Sequence, residues 1–125
     1  MQYVYEQAVE IQETANYEVE VEVDRFKISS GLVKLNTGLF KGKSLVYSGL
    51  EHVVVRLHPK YDDYALENAL LVSSHVDTVI TAEGAGDCSS CVGVMLELAR
   101  ALSHWAHGFK HSVIFLFNTG LFLQL

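Results

Sequence analysis

Residues 70–91 decide the fold of this chain and read LLVSSHVDTVITAEGAGDCSSC. The run opens with the apolar residues Leu70 to Val72, which are typical of a strand buried on both faces in the middle of a parallel sheet. His75 and Asp77 stand at the carboxyl end of this strand, and their spacing of two directs both side chains to the same side. A loop with two glycines leads to Asp87, where a long amphipathic segment begins. Because open α/β sheets bind ligands beyond the carboxyl ends of their strands, this pattern predicts a ligand site.

The chemistry of these three polar residues favours a divalent metal. Neutral imidazole nitrogen and carboxylate oxygen are zinc ligands, and a neighbouring carboxylate commonly holds a ligating histidine in one tautomer. Each residue also has a simpler interpretation. His75 could bond to the backbone at a strand end, Asp77 could be a loop residue, and Asp87 could be a helix N-cap, a position that favours Asp. The metal interpretation rests on the third of these residues, the acidic Asp87 at the start of the next helix.

A strand-helix-strand unit follows from the residues after the loop. A helix is predicted from Asp87 to His107, with Gly108 as its C-cap. The apolar stripe predicted for this helix consists of Cys88, Cys91, Val92, Met95, Leu98, Leu102 and Trp105. Residues 112–117 are nearly all apolar and predict a second buried strand. Elements of these lengths form a right-handed crossover between parallel strands, which puts residues 118–120 beside His75.

The residues before position 70 predict one helix and several strands. Residues 2–15 have apolar side chains at helical spacing, with one buried stripe. Residues 17–28 alternate with a period of two, and the apolar phase slips by one at Phe26, which predicts a bulge near Asp24 and Arg25. Residues 29–57 predict further strands separated by turns.

The alternation in residues 17–28 also predicts which side chains are buried. One face carries Tyr17, Val19, Val21 and Val23, and the other carries Glu18, Glu20, Glu22 and Asp24. The acidic row could bind calcium or a cationic partner, but a solvated strand face is the favoured interpretation. His52 and His58 give no functional signal.

Composition limits the classes of function. A chain of 125 residues with 50% hydrophobic content predicts one small folded domain. The net charge of −6 argues against binding to nucleic acid or to an anionic membrane surface. No apolar stretch reaches the roughly 18 residues of a membrane span, and no N-terminal targeting signal is visible.

Three segments carry a resemblance to a known family. SSHVDT, GAGDCSSCVGVMLELARALSHWAHGFK and SVIFLFNTG resemble the di-zinc aminopeptidase-type exopeptidases, in particular the plant form of the membrane-anchored endoplasmic-reticulum metallopeptidases. The resemblance implies that His75 is a terminal zinc ligand, that Asp87 bridges two zinc ions and that Asp77 orients the site. It also implies a partial three-layer α/β/α fold with a mixed, largely parallel central sheet and an N-terminal β-meander.

The resemblance implies an activity and also an incomplete site. In the complete family two zinc ions activate a water that hydrolyses peptide substrates. Consecutive glutamates after SVIFLFNTG supply the general base and a further ligand. This chain instead has LFLQL at residues 121–125. Residues 1–120 are therefore expected to be the N-terminal half of the catalytic domain, and residues 121–125 a divergent apolar tail. The chain is expected to bind zinc weakly, to be inactive alone, and to derive from a protein of the endoplasmic reticulum.

Other functions stay open from the residues alone. The chain could be a non-catalytic truncated isoform or a fragment that binds a partner. It could also be a thiol-redox protein that uses Cys88 and Cys91, because a helix N-terminus lowers the pKa of a thiol. Packing of both thiols in the core is the favoured alternative. The apolar segment 112–125 is expected to lack cover and to mediate self-association.

Overall fold

The sequence folds into helices and strands that we describe from a computed structural model. The structure describes residues 1–28, 31–34, 42, 44–47, 50–60, 64–77, 85–105 and 110–119. The helices are α1 (Gln2–Thr14), α2 (Tyr64–Glu67) and α3 (Ser90–Ser103), and a π-helical turn (Ala85–Ser89) precedes α3. The strands are β1 (Val19–Ile28), β2 (Gly31–Lys34), β3 (Ser44–Tyr47), β4 (Leu50–Pro59), β5 (Ala69–His75) and β6 (Ser112–Asn118).

The main sheet has four strands in the order β1-β4-β6-β5. β5 and β6 run parallel and α3 lies between them in the chain, which confirms the predicted crossover and the mixed α/β fold. The pairs β1–β4 and β4–β6 are antiparallel, so the parallel share of the described sheet is smaller than expected. The expected meander also differs, because β1 pairs with β4 while β2 and β3 form a separate hairpin.

The two parallel strands differ in burial. β5 was predicted to be buried on both faces, but it is the edge strand of the described sheet, and Leu70 and Leu71 are 62% and 59% exposed. β6 lies between β4 and β5, and its Phe115 and Phe117 are fully buried. The prediction that β5 is buried on both faces is therefore wrong. On the other face of β6, Ile114 and Leu116 are half-buried, so the lack of cover expected for segment 112–125 stays a prediction. Residues 120–125 lie outside the described residues.

The core lies between one face of the sheet and the helices α1 and α3. α1 turns Val4, Ala8 and Ile11 into it, as the helical spacing predicts. The strands contribute alternate residues: Val19, Val21, Val53, Val55, Leu57, Val113, Phe115 and Phe117. Each fully buried side chain of this kind contributes about 1.5–3 kcal/mol of transfer free energy, so the shared face holds the layers together.

α3 buries a different stripe from the predicted one. Its buried residues are Val92, Met95, Leu96, Ala99 and Ser103. The predicted members Cys91, Leu98 and Trp105 are exposed. The stripe is rotated because α3 packs against α1 as well as the sheet. The small side chain of Ser103 allows close approach, and its carbonyl accepts a hydrogen bond of 2.9 Å from the amide of Asn16 at the end of α1.

The ends of α3 also differ from the prediction. Ser89 is the N-cap, and Asp87 lies within the π-helical turn, so Asp87 is not the N-cap of α3. The helix ends at Ser103 with His104 as its C-cap. Gly108, the predicted cap, lies outside the described residues.

β1 has no bulge in its pairing with β4. The register runs without a break from Val19 opposite Pro59 to Ile28 opposite Leu50, so the predicted bulge is wrong. Without a bulge, the core-face position after Val23 is taken by Arg25, and Phe26 does not turn to the core. Arg25 is held there by an ion pair of 2.8 Å to Glu51 and by the ring of Tyr5.

The predicted faces of β1 are confirmed in the middle of the strand and are wrong at its two ends. Val19 and Val21 are buried, and Glu20, Glu22 and Asp24 are exposed. Phe26 shares the acidic face, where its ring lies 5.2 Å from the ring of His52. Tyr17 precedes the strand and is exposed.

Candidate metal centre

The parallel pairing of β5 and β6 positions the first candidate ligand. His75, the last residue of β5, is the register partner of Asn118, the last residue of β6. Beyond the strands, the amide of Val76 donates a hydrogen bond of 2.8 Å to the carbonyl of Asn118. The prediction that residues 118–120 arrive beside His75 is confirmed for Asn118. Gly120 lies outside the described residues.

A hydrogen bond to the backbone sets the tautomer of His75. Nδ1 of His75 lies 2.7 Å from the carbonyl oxygen of Asp77. A carbonyl oxygen only accepts, so Nδ1 carries the hydrogen and the ring lone pair is on Nε2. The carboxylate of Asp77 is more distant, with Oδ1 3.8 Å from Nδ1. The main chain of Asp77 therefore makes the closer contact that orients this imidazole.

A buried oxygen lies at the same end of the sheet. Asn118 is 7% exposed, and its Oδ1 has no hydrogen-bond partner among the described residues. Register partners in a sheet point to the same face, so the side chains of His75 and Asn118 share one face of the parallel pair. An imidazole lone pair and an unsatisfied amide oxygen on one face fit a cation, because both are electron-pair donors.

Hydrogen bonds of Thr119 and the backbone anchor the carboxyl end of β6 to β4. The amide of Glu51 donates to Oγ1 of Thr119, and this hydroxyl donates to the carbonyl of Glu51, each at 3.0 Å. The hydrogen bond from Arg25 lowers the pKa of the Glu51 carboxyl below its usual value of 4.5. The charged form of Glu51 is therefore favoured in the folded chain.

Asp87 is described by its backbone alone. It lies in the middle of the π-helical turn that leads into α3, and such turns occur frequently at functional sites. A disulfide joins Cys88 to Cys91 directly after it. Cys91 is exposed and Cys88 is half-buried, so the prediction that both sulfurs pack in the core is wrong. The side chains described together at this end of the sheet are those of His75, Asp77 and Asn118.

An apolar cavity of about 460 Å³ opens near this end of the sheet. Its lining includes Val4, Val76, Ser89, Val92 and Leu96. Val76 stands between His75 and Asp77 in the chain, and Ser89 follows Asp87 by two residues. The cavity borders both segments on the helix-covered face of the sheet, whereas His75 and Asn118 point to the other face.

A second group of metal-type ligands occurs elsewhere on the sheet. Glu20, Glu22 and His58 each offer a ligand atom, and these atoms lie within 4.8 Å of one another. The sequence analysis assigned the acidic row to solvent and gave His58 no role. The signal lay in the pairing, because an antiparallel register of 19–28 with 50–59 puts His58 opposite Glu20.

The fold and the site define an α/β domain with an oriented imidazole at the carboxyl end of its parallel strands. Residues 52–120 match peptidase family M28, so the chain belongs to this family of metal-dependent peptidases. This match confirms the family that the resemblance indicated.

Similarity to individual proteins is consistent with this family. A protein of Schizosaccharomyces pombe named "Putative endoplasmic reticulum metallopeptidase 1" is 35% identical over 72 residues, which are 58% of this chain and 9% of that protein. The crystal structure of LapB from Legionella pneumophila matches with a TM-score of 0.57 at 18% identity, over 95% of this chain and 27% of that one. The likeness to LapB concerns the fold. The chain thus spans a small part of the length of either protein.

None of the helices in the described part of the chain has both the length and the apolarity to cross a bilayer.

Proposed function

We propose that this chain is part of the catalytic domain of an M28 metallopeptidase that hydrolyses peptides and works with zinc. In this proposal His75 and Asp87 are metal ligands and Asp77 orients His75. The observation that carries it is the hydrogen bond of 2.7 Å from Nδ1 of His75 to the carbonyl of Asp77, within the segment that matches the family. Metal-ligating histidines commonly donate their other ring nitrogen in this way.

Each residue of the proposed site would have a separate role. Zinc, when bound, lowers the pKa of a water molecule and polarises the peptide carbonyl. His75 offers Nε2, and the contact from Asp77 holds its ring plane. Oδ1 of Asn118, which has no hydrogen-bond partner among the described residues, can accept a hydrogen bond from a donor on the substrate.

The proposal includes the extent of the domain. Residues 1–120 would form the N-terminal half of the catalytic domain, and residues 121–125 a divergent tail. The resemblance implies consecutive glutamates after Gly120, where this sequence has Leu121 and Phe122. We therefore expect the 125-residue chain to bind zinc weakly and to hydrolyse no peptide alone. Residence in the endoplasmic reticulum is proposed from the name of the yeast relative.

Zinc titration of the full chain tests the ligand assignment. We expect His75→Ala to weaken zinc binding at this site about tenfold or more, because it removes the nitrogen ligand. Asp77→Asn keeps the backbone carbonyl and should weaken binding less than His75→Ala. Equal losses in the two variants would contradict the orienting role of the Asp77 main chain.

Peptide hydrolysis tests the incomplete site. The purified chain should release no amino acids from peptide substrates above background. A chimera that restores the family's sequence after Gly120 is the positive control. Turnover by the unmodified chain that is stopped by a chelator and by Asp87→Ala would contradict the expected inactivity and would support the assignment of Asp87 as a metal ligand.

A second candidate function is thiol–disulfide exchange at Cys88 and Cys91. The observation that favours it is the disulfide itself, with the exposed Cys91 at the start of α3. A dithiol reductant would reduce the disulfide to two thiols and be oxidised in turn. Reduction by thioredoxin-type dithiols that leaves zinc binding unchanged would support a separate redox role, and resistance to such reductants would exclude it.

A further inference from the structure

We propose that Glu20, Glu22 and His58 form a second binding site for a zinc-type divalent cation. This site lies on the β1–β4 pair and is independent of the function proposed above. His58 is the register partner of Glu20, and Glu22 lies two residues further along the same face of β1. Nε2 of His58 lies 3.6 Å from Oε2 of Glu20 and 3.9 Å from Oε1 of Glu22.

His58 is the part of the group that points to a ligand. The residue is 5% exposed, and its Nε2 has no hydrogen-bond partner within the described residues. Its Nδ1 lies 3.2 Å from the carbonyl of Pro59, which can only accept, so the lone pair is on Nε2. A buried lone pair therefore faces two carboxylates across a gap. All three groups donate electron pairs, and a cation between them removes the mutual repulsion.

The distances suit a metal ion better than direct hydrogen bonds. Both exceed the roughly 3.2 Å limit for an ordinary N–H···O contact. Ligands at about 2.0–2.2 Å from a tetrahedral zinc lie roughly 3.4 Å from one another. The observed separations of 3.6 and 3.9 Å approach that value, and the two glutamate side chains are about half exposed and can close the remainder.

The ligand types select the class of cation. One imidazole nitrogen and two carboxylates with an open position for water are a zinc-type set, whereas calcium and magnesium prefer oxygen ligands alone. Arg56, the register partner of Glu22, lies 3.9 Å from its Oε2, whereas His58 lies nearer its Oε1. This contact positions Oε1 toward Nε2. It also lowers the net negative charge of the site, so moderate affinity is expected.

This group is separate from the candidate centre at His75. Asn118, the partner of His75, pairs with His52 at the start of β4, and His58 is six residues further along that strand. At about 3.3 Å per residue the two places are roughly 20 Å apart. They can therefore be examined one at a time.

Calorimetric titration of the full chain with zinc chloride tests the proposal, in a His75→Ala background that removes the other nitrogen ligand. We expect one equivalent of zinc to bind. Glu20→Gln, Glu22→Gln and His58→Ala should each lower the affinity about tenfold or more. The matched controls are Asp24→Asn, on the same face of β1, and His52→Ala, on the same face of β4. Both should leave the affinity within about twofold.

Protein stability provides a second readout that does not depend on the buried histidine. Zinc should raise the melting temperature of the His75→Ala chain and should not raise that of the same chain with Glu20→Gln and Glu22→Gln. Both glutamates are exposed, so these changes keep the fold. No zinc binding in the His75→Ala background would overturn this site and leave the His75 proposal standing. Unchanged affinity in both glutamate variants would overturn it equally.

Discussion

β5 and β6 are neighbouring parallel strands with similar apolar sequences and opposite environments. β6 has a strand on either side and buries Phe115 and Phe117 completely. β5 has one strand neighbour in the described sheet and exposes Leu70 and Leu71. Apolar composition predicts that a strand is buried, but it does not predict which strands or helices pack against it. The strand that carries the candidate ligand His75 is the less protected of the two.

The largest expected difference between the strands is in stability. Phe115→Ala should lower the free energy of unfolding by about 3–5 kcal/mol, because it empties a fully buried site in the middle of the sheet. Leu70→Ala should lower it by less than about 1 kcal/mol, because this side chain remains mostly in water. Urea unfolding followed by circular dichroism measures both values.

The control for this comparison is the wild-type denaturant slope. If Phe115→Ala changes the midpoint with the slope unchanged, the two values can be compared directly. Equal losses in the two variants would mean that β5 is covered as well as β6, and would remove the contrast between the strands.

The next effect concerns self-association. Because β6 is an interior strand, we expect association to use the exposed edge of β5 in place of β6. Leu71→Lys should weaken association roughly tenfold, equivalent to about 1.4 kcal/mol, measured by sedimentation at micromolar concentration. Tyr3→Lys is the control, since Tyr3 is similarly exposed but lies on α1. Equal weakening by the two lysines would indicate a general charge effect.

The smallest effect concerns pH at the anchored end of β6. Glu51 has a lowered pKa in the folded chain, so its ion pair with Arg25 stabilises the fold at neutral pH. This contribution is lost as the pH falls through the lowered pKa. Glu51→Gln should lower the melting temperature at pH 7, and the difference from wild type should shrink as the pH falls below the usual value of 4.5. A difference that is constant with pH would contradict the ionic origin.

Local sequence patterns predicted the helices and strands of this fold better than they predicted which strands lie next to one another. The spacing of Val4, Ala8 and Ile11 predicted α1, and the strand-helix-strand lengths predicted that β5 and β6 are parallel. The edge position of β5 could not be predicted, because strand order depends on contacts distant in the chain. The false bulge in β1 has a related cause. Arg25 occupies a core-facing position through its ion pair with Glu51, which is remote in sequence.

The candidate sites show the same limit. The spacing of His75 and Asp77 indicated two residues that meet at the end of β5. The contact that orients the His75 imidazole comes from the Asp77 carbonyl, which has no signature in the side-chain sequence. His58 was overlooked because its partners lie on β1, and the pairing register was needed to bring them together. The roles of His75, Asp77 and Asp87 in binding metal stay predictions.

The edge position of β5 has a consequence for the dynamics of the candidate centre. Amide groups of β5 that point away from β6 have no strand partner in the described sheet, so they should exchange hydrogen with solvent faster than those of β4. β5 can then detach locally at a lower free energy than global unfolding requires. A metal ion at His75 would bind only while β5 is paired with β6. The decrease in the hydrogen-exchange rate of β5 amides on adding metal would therefore measure how much metal binding stabilises the paired strand.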